Sequence, residues 1–429
     1  MSIAFTSIKG LTFYDMRRTF HGVTLFTPLE GSGCWLIDMN GNIVHSWETG
    51  YKPALYGELL PNGNLLYAGR VEDGPLTEFE GAGGIILEAD WDGKKVWEYK
   101  DPYLHNAFFR MKNGNTLVIK WVKVPSEVAN RVAGGEPGTE RDGLMWGDTI
   151  DEITPEGKVV WSWIAHEHLD PKIDKSCILC PRSEWTHTNW VQELADGNIM
   201  VCLMESDTIA IIDKKTGNIT WRWGTGDLGV SHPHTPTMLE NGNILIFDNG
   251  LHGTLGISRI IEIDPKTKAG GVKDKEVIVP LATRDMVSQN TVWGYPKSMM
   301  PGGAGGEAVY TEYFFSSIMS SCQRLANGDA LICEATSGRL FEINMDGELL
   351  WEYVNPLPFY EVAPNKMRPC MVTCAFRYGM DYPGLKRFVP VPEERRRTPS
   401  AKRAVAKMSA EEEEKERRTL QSRLQGLGY

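Results

Sequence analysis

Short runs of apolar residues, each broken after a few positions by Asn-Gly, Asp-Gly or a similar polar pair, succeed one another from about residue 20 to residue 357. Two apolar runs around such a pair predict a β-hairpin with a type I′ turn, in which both central residues take positive φ. One class of hairpin comprises LLPNGNLLYAG (59–69), RMKNGNTLVIK (110–120), ELADGNIMVCL (193–203), MLENGNILIFD (238–248) and RLANGDALICE (324–334). A second class alternates with it. LIDMNGNIVHSW, LEADWDGKKVWEY, DEITPEGKVVWSW, AIIDKKTGNITWRW and FEINMDGELLWEY each combine an acid, a turn and a Trp-bearing strand, and IIEIDPKTKAGGVKDKEVIV repeats the shape without the Trp.

Two hairpin types in alternation, at a period of roughly 50 to 80 residues, predict four-stranded blades, and a ring of blades is a β-propeller. Six outer hairpins predict six blades in an all-β fold. Only five inner hairpins are evident, so GVTLFTPL (22–29) and RPCMVTCAFRYG (368–379) are expected to pair and close the ring from the two ends of the chain. The tryptophans Trp97, Trp161, Trp163, Trp221, Trp223 and Trp351 suit packing between blades. The propeller is assigned to residues 1–391, and two tandem β-sandwiches fit less well because the repeat crosses any boundary between them. Residues 392–429 differ in kind: charged, helix-prone and poor in aromatics, they predict a helical or solvated tail, with Leu420 and Leu424 offering a small face for a homo-oligomer.

A formal net charge of -11 disfavours nucleic acid and anionic membranes, which need a basic face. A small organic molecule is the expected partner. The start of the chain lacks the apolar core of an export signal, and no stretch approaches the roughly 18 apolar residues of a membrane span. The eight cysteines are then expected as thiols in a cytoplasmic protein.

Counting seven residues of strand, roughly 23 Å, out from each inner turn brings polar side chains to one end of the ring. Tyr56 and Arg70, His105, Asn106 and Lys120, His187, Asn189 and Glu205, His232, His234, Asp248 and Asn249, and Ser320 and Glu334 arrive there from five separate hairpins, and His252 follows on the same rim; Asp248 and Asn249 equally suit a turn that caps the strand. A single histidine at a strand start is an ordinary loop residue, whereas several at one level of successive repeats outline a ligand site. His166-Glu-His168 followed by Cys177-Ile-Leu-Cys180 has zinc-like residue types but only one CxxC. The Gly-rich EGAGGI and MPGGAGGEA lack the context of phosphate loops, and the aromatic-bearing stretch from about 282 to 315 is expected to form a lid.

GVTLFTP, GCWLIDMNGNIVHSW, THTNWVQELADGN, TGNITWRWG, HPHTPTMLENGNILIFDNG, SRIIEIDP and GRLFEINMDGELLWEYVNP together resemble the arylsulfotransferase family over residues 20–357. The resemblance implies a six-bladed propeller in which a central histidine takes a sulfo group from an aryl sulfate and passes it to a phenol. It implies His187 and Asn189 as the family's His-x-Asn pair, His105 as the histidine of the preceding blade, and a nucleophile within SHPHTP. His234 is preferred there because it stands closer to the strand, with His232 as the alternative. The sequence departs from the family where a "VSxR" run would place an arginine: VCLMES puts Met204 there with Glu205 beside it, and Arg70 or Lys120 would have to supply the cation.

Three functional classes follow. The first is sulfotransfer through a sulfohistidine without a cofactor. The second is a lyase, hydratase or hydrolase acting on a small aromatic or polar substrate, with the histidines and Glu205 exchanging protons or holding a divalent metal. The third is a noncatalytic binding propeller.

Overall fold

The apolar runs become strands in a computed structural model, which describes residues 9–224, 229–253, 256–266, 271–273, 276–278, 291–296, 314–356, 360–363, 366–368 and 371–388. Six antiparallel sheets, five of four strands and one of five, follow one another along the chain. Their first strands are Val372–Gly379, Pro53–Leu59, Leu104–Arg110, Thr188–Glu193, His234–Met238 and Ser321–Arg324, and each lies beside its neighbours around the common axis. The two middle strands of each sheet are buried on both faces, as Leu65–Arg70 and Gly84–Ala89 illustrate, because the blades pack face to face. Outermost strands such as Lys95–Lys100 alternate toward solvent, with Trp97 turned in.

Closure comes from the ends of the chain, as expected. Val372–Gly379 pairs antiparallel with Gly22–Pro28, so the first blade takes its axial strand from the C-terminal part of the propeller. Gly10–Tyr14 adds a fifth strand to the outer edge of the last blade, against Leu349–Val354. The same N-terminal segment therefore spans the junction that the C-terminal strand seals. The tail predicted at 392–429 lies outside the described residues.

The inner turns differ from the expected type I′. In LLPNGNL the N–H of Gly63 donates to Leu60 O, that of Leu60 to Asn64 O, and only Gly63 has positive φ, which makes a type I turn followed by a left-handed glycine. Asn62 stays at negative φ because its side chain accepts the N–H of Asn64 at 3.0 Å. Its amide also reaches Glu88 on the third strand, together with that of Asn64. Glu152 and Glu262 hold their Asn pairs in the same way. A base then links the acid to the next blade: Arg110 to Glu88, Lys214 to Glu152, Arg324 to Glu262 and Arg377 to Glu342.

The outer turns are tied by tryptophan. Indole N–H groups donate to main-chain carbonyls of the following blade, from Trp47 to Asp90, Trp97 to Pro155, Trp161 to Lys214, Trp221 to Pro265, Trp293 to Met345 and Trp351 to Met39. The last of these returns the chain to its first blade. Trp293 corrects the reading of the Trp-less copy, and of the stretch expected as a lid only 291–296 and 314–315 are among the described residues. Thr291–Tyr295 is the outer strand of the fifth blade, and Gly271–Lys273 with Glu276–Ile278 is a separate small hairpin.

The same bond at a wet and a dry position should differ in worth. Trp97→Phe, beside solvent, is expected to lower the unfolding free energy by less than about 1 kcal/mol. Trp351→Phe, with no exposed surface, loses packing and orphans a buried carbonyl, at about 2–3 kcal/mol. Equal losses in urea melts of the two variants would remove the ring of indole bonds as a source of stability.

Candidate functional site

The inner strands begin with residues that L side chains seldom favour. Asn106, Thr186 with His187, His232, and Met319 with Ser320 all have positive φ, at the starts of four consecutive blades. Strain of this kind persists where the surroundings over-determine it. Around Thr186 and His187 the determinant is Asp148, whose Oδ2 accepts the hydroxyls of Thr186 and Thr188 and the N–H of Thr188. The alternating Thr-His-Thr-Asn thus has two functions: the threonines grip a buried carboxylate, and the residues between them are set into the ring's end.

His105 lies flat on Trp121, with ring centroids 4.4 Å apart, and its Nε2 is 3.0 Å from Asp148 Oδ1. Burial would raise the Asp148 carboxyl, but His105 and the two threonines outweigh it and hold it below its ordinary value. Asn106 bridges His105 Nδ1 and His187 Nε2 at 3.0 and 3.1 Å. Gly81 makes room for it, since a Cβ there would lie 2.2 Å from Asn106 Oδ1. Glu184 Oε2 binds His187 Nδ1. Burial works against a charge on His187, yet Glu184, with Glu205 and Asp148 behind it, lifts its pKa to about 9.

His234 is the opposite case. Burial and the nearby His187 charge hold its pKa down to about 4, so the ring is neutral at physiological pH. Asn249 Nδ2 donates to the carbonyls of Ser316 and Met319 at 2.7 and 3.0 Å, which turns Asn249 Oδ1 onto His234 Nδ1 at 2.8 Å. That oxygen can only accept, so Nδ1 carries the proton and Nε2 keeps its lone pair. Among the described residues nothing binds Nε2. Asn189 donates to the carbonyl of Pro233, just before His234, and its own Oδ1 is buried with no partner among the described residues.

Beside this group lies a second one. Cys177, Cys180, His232 and His252 bring their Sγ and ring nitrogens within 4.8 Å of one another. His166 and His168 stand apart from those cysteines: His168 stacks on Trp163. The CxxC is therefore joined by histidines distant in sequence rather than by the nearby His-Glu-His. Glu205 and Asp207, on and just after a 3-10 turn, are pushed by burial to about 7 each, against the pull of His232.

Three expected members are placed elsewhere. Tyr56 stacks on Phe108 and donates its hydroxyl to that residue's carbonyl at 2.6 Å, inside the apolar core. Lys120 is clasped by Asp101 and Asp151 at 3.1 and 2.7 Å. Arg70 is exposed and binds Thr77 O. Neither cation replaces the missing family arginine, and Arg259, missed in the sequence, is committed to Asp248. Met204 is buried, its N–H on His187 O at 3.3 Å. Glu184 and Asp148 were also missed as partners of the histidines, since nothing in their local sequence distinguishes them from turn and strand-edge residues, whereas Asn249, expected at this end as a turn cap or a pocket residue, is the partner of His234.

A six-bladed propeller with imidazoles gathered at the ends of its axial strands is the class that fold and geometry define. The chain belongs to the arylsulfotransferase (ASST) family, whose sequence model matches residues 72–356. Solved structures are similar to the chain at low identity. A protein of unknown function from Bacteroides caccae is 14% identical, with a TM-score of 0.46, over 83% of this chain and 98% of that one. A catalytically inactive virginiamycin B lyase from Staphylococcus aureus with quinupristin is 12% identical, with a TM-score of 0.42, over 84% and 97%. No curated protein matches the sequence. Among the described residues no helix is long and apolar enough to cross a membrane.

The grip on Asp148 carries a pH signature. A carboxyl with a depressed folded pKa contributes stability above its unfolded value, about 3.9, and loses it as pH falls through the folded value. Asp148→Asn should therefore be markedly less stable than the parent at pH 6, and the gap should narrow as both are acidified below pH 4. A gap in urea midpoints that stays constant across that range would contradict the charged pairing of Asp148.

Proposed function

We propose that the protein transfers a sulfo group from an aryl sulfate to a phenolic acceptor, with His234 as the nucleophile. The observation that carries this reading is the fixed tautomer of His234, a neutral ring with an unpartnered Nε2 lone pair. In the first half-reaction Nε2 forms a bond to sulfur as the bond from sulfur to the aryl oxygen breaks. His187 gives its Nε2 proton to the departing oxygen, and Glu184 holds the other face of the ring. An acid near 9 is well matched to a phenolic leaving group near 10. In the second half-reaction the acceptor phenol returns a proton to His187 while its oxygen takes the sulfo group from His234.

The missing arginine is consistent with this assignment of charge. With Met204 in its place, the positive charge at the site is an imidazolium, and burial keeps Glu205 and Asp207 partly protonated at neutral pH, which limits their repulsion of a sulfate. Those two carboxyls also favour a second reading, acid–base lyase or hydrolase chemistry on a small organic substrate, because groups titrating near 7 exchange protons readily.

The two readings separate on a covalent intermediate. Incubation with p-nitrophenyl sulfate should release nitrophenol in a phenol-dependent way and leave a chain heavier by one sulfo group in intact-mass spectra. His234→Ala should lose the adduct and on the order of 10⁴-fold or more in turnover, with its fold unchanged. Turnover retained in that variant, or release without any adduct, would exclude His234 as the nucleophile.

The acid role of His187 sets the alkaline limb of the pH profile. Activity should be present below about 9 and fall above it as the imidazolium loses its proton. Glu184→Gln removes the largest stabiliser of that charge, so the limb should move down toward the ordinary histidine range, about 6.5. An alkaline limb that stays near 9 in this variant would rule out His187 as the acid.

A further inference from the structure

We infer that Cys177, Cys180, His232 and His252 bind one zinc ion in a closed four-ligand site that fastens the loops beside the third blade to the fifth blade. This inference is independent of the sulfotransfer reading, because it concerns side chains that the reaction above does not use.

The donor atoms are already arranged for a metal. Cys180 Sγ lies 3.2 Å from His232 Nε2 and 3.5 Å from His252 Nδ1, and Cys177 Sγ lies 3.3 Å from His252 Nδ1. Bond lengths for tetrahedral zinc imply a sulfur-to-nitrogen edge of about 3.6 Å, so a small outward adjustment suffices. Two thiolates with two imidazoles suit zinc in particular, and four protein ligands leave no open position, as in structural sites.

The outer environment of His232 points the same way. Its other ring nitrogen, Nδ1, has no hydrogen-bond partner among the described residues and is 3.5 Å from Asp207 Oδ1, which also accepts the His232 N–H at 2.7 Å. Asp207 is itself at positive φ, at the end of the turn that carries Met204 and Glu205. A carboxylate behind the far nitrogen of a metal-binding histidine is the usual way a protein fixes the ring for coordination.

The cysteine loop supplies an independent sign. Ser176–Pro181 pairs with Gly134–Glu136 outside the blades. Between the two thiols, Ile178 and Leu179 are 74% and 61% exposed, while Cys180 is buried. Apolar burial alone would turn the isoleucine and leucine inward, so the loop's orientation is that of a ligand-presenting turn. The ligands also come from distant elements: a loop before the fourth blade, the residue two positions before His234, and the turn after Ile244–Asp248. Metal there would anchor the peptide that carries His234, in concert with the Asn189 bond to the Pro233 carbonyl.

The test is metal content. Full-length protein from zinc-supplemented culture, purified under reducing conditions, should carry one zinc per chain by mass spectrometry of the elements. Replacing zinc with cobalt should give thiolate-to-cobalt charge transfer and the intense visible bands of a tetrahedral ion. Cys177→Ser/Cys180→Ser should lose the zinc. So should His252→Ala, whose side chain is exposed and whose fold, checked by circular dichroism, should be intact. Chelation should lower the thermal midpoint of the parent and leave that of the cysteine variant unchanged. A parent that takes up no zinc after anaerobic reconstitution, a Cys177–Cys180 disulfide in the protein as purified, or zinc retained in both variants would overturn the inference.

Discussion

A four-stranded sheet with two buried middle strands has two apolar faces and no way to cover either by itself, so every blade here depends on its neighbours. The most regular expression of that dependence is the indole N–H that crosses from each outer strand to the next blade's outer turn. Tryptophan serves because one side chain both fills the wedge between blades and satisfies a carbonyl that would otherwise face apolar surface. The turn acids Glu88, Glu152, Glu262 and Glu342 make a second ring of links nearer the inner turns, each to a base on the following blade. At the seam, burial pushes Glu342 up to about 7 and Arg377 down from its ordinary value. Two groups this costly to desolvate add little net stability, and their contribution is to admit one register of the closing strand.

Closure has a chemical consequence. Because the blades are held rigidly at both their inner and outer turns, the opposite ends of the axial strands can carry residues at positive φ. The site consists of those residues and their immediate supports: Asn106 between two histidines, His187 between Asn106 and Glu184, and Asp148 beneath both. Two buried histidines from adjacent blades end in opposite states: Glu184 overcomes burial at His187, whereas burial and the His187 charge leave His234 neutral. A carboxylate faces one and a carboxamide oxygen the other. That divergence lets a single ring of imidazoles contain both a lone pair and a proton.

Much of this was legible in the chain. The alternating turns determined the number of blades, since Asn-Gly between apolar runs leaves few other conformations, and the unpaired runs at 22–29 and 368–379 determined where the ring closes. Counting from the turns placed His105, Asn106, His187, Asn189, His232 and His234 at the same end, because strand length converts directly into distance. The identical count misplaced Tyr56 and Lys120. It locates a residue along a strand but not the face toward which its side chain turns, and bulges at Gly57 and Lys120 shift that face.

What the sequence by itself determined is therefore the repeat: strand, turn, acid and tryptophan, all set by interactions between residues a few positions apart or one period apart. Only the tertiary structure decided the pairings that give the histidines their chemistry. Glu184 meets His187 three residues on, but Asp148 reaches Thr188 from 40 positions away and also meets His105, Asn249 reaches His234 across a hairpin, and Cys177 meets His252 across a whole blade. No local pattern marks such partners. Charge and tautomer depend on which groups stand within a few ångströms, and in a closed ring that is settled by how the blades face one another.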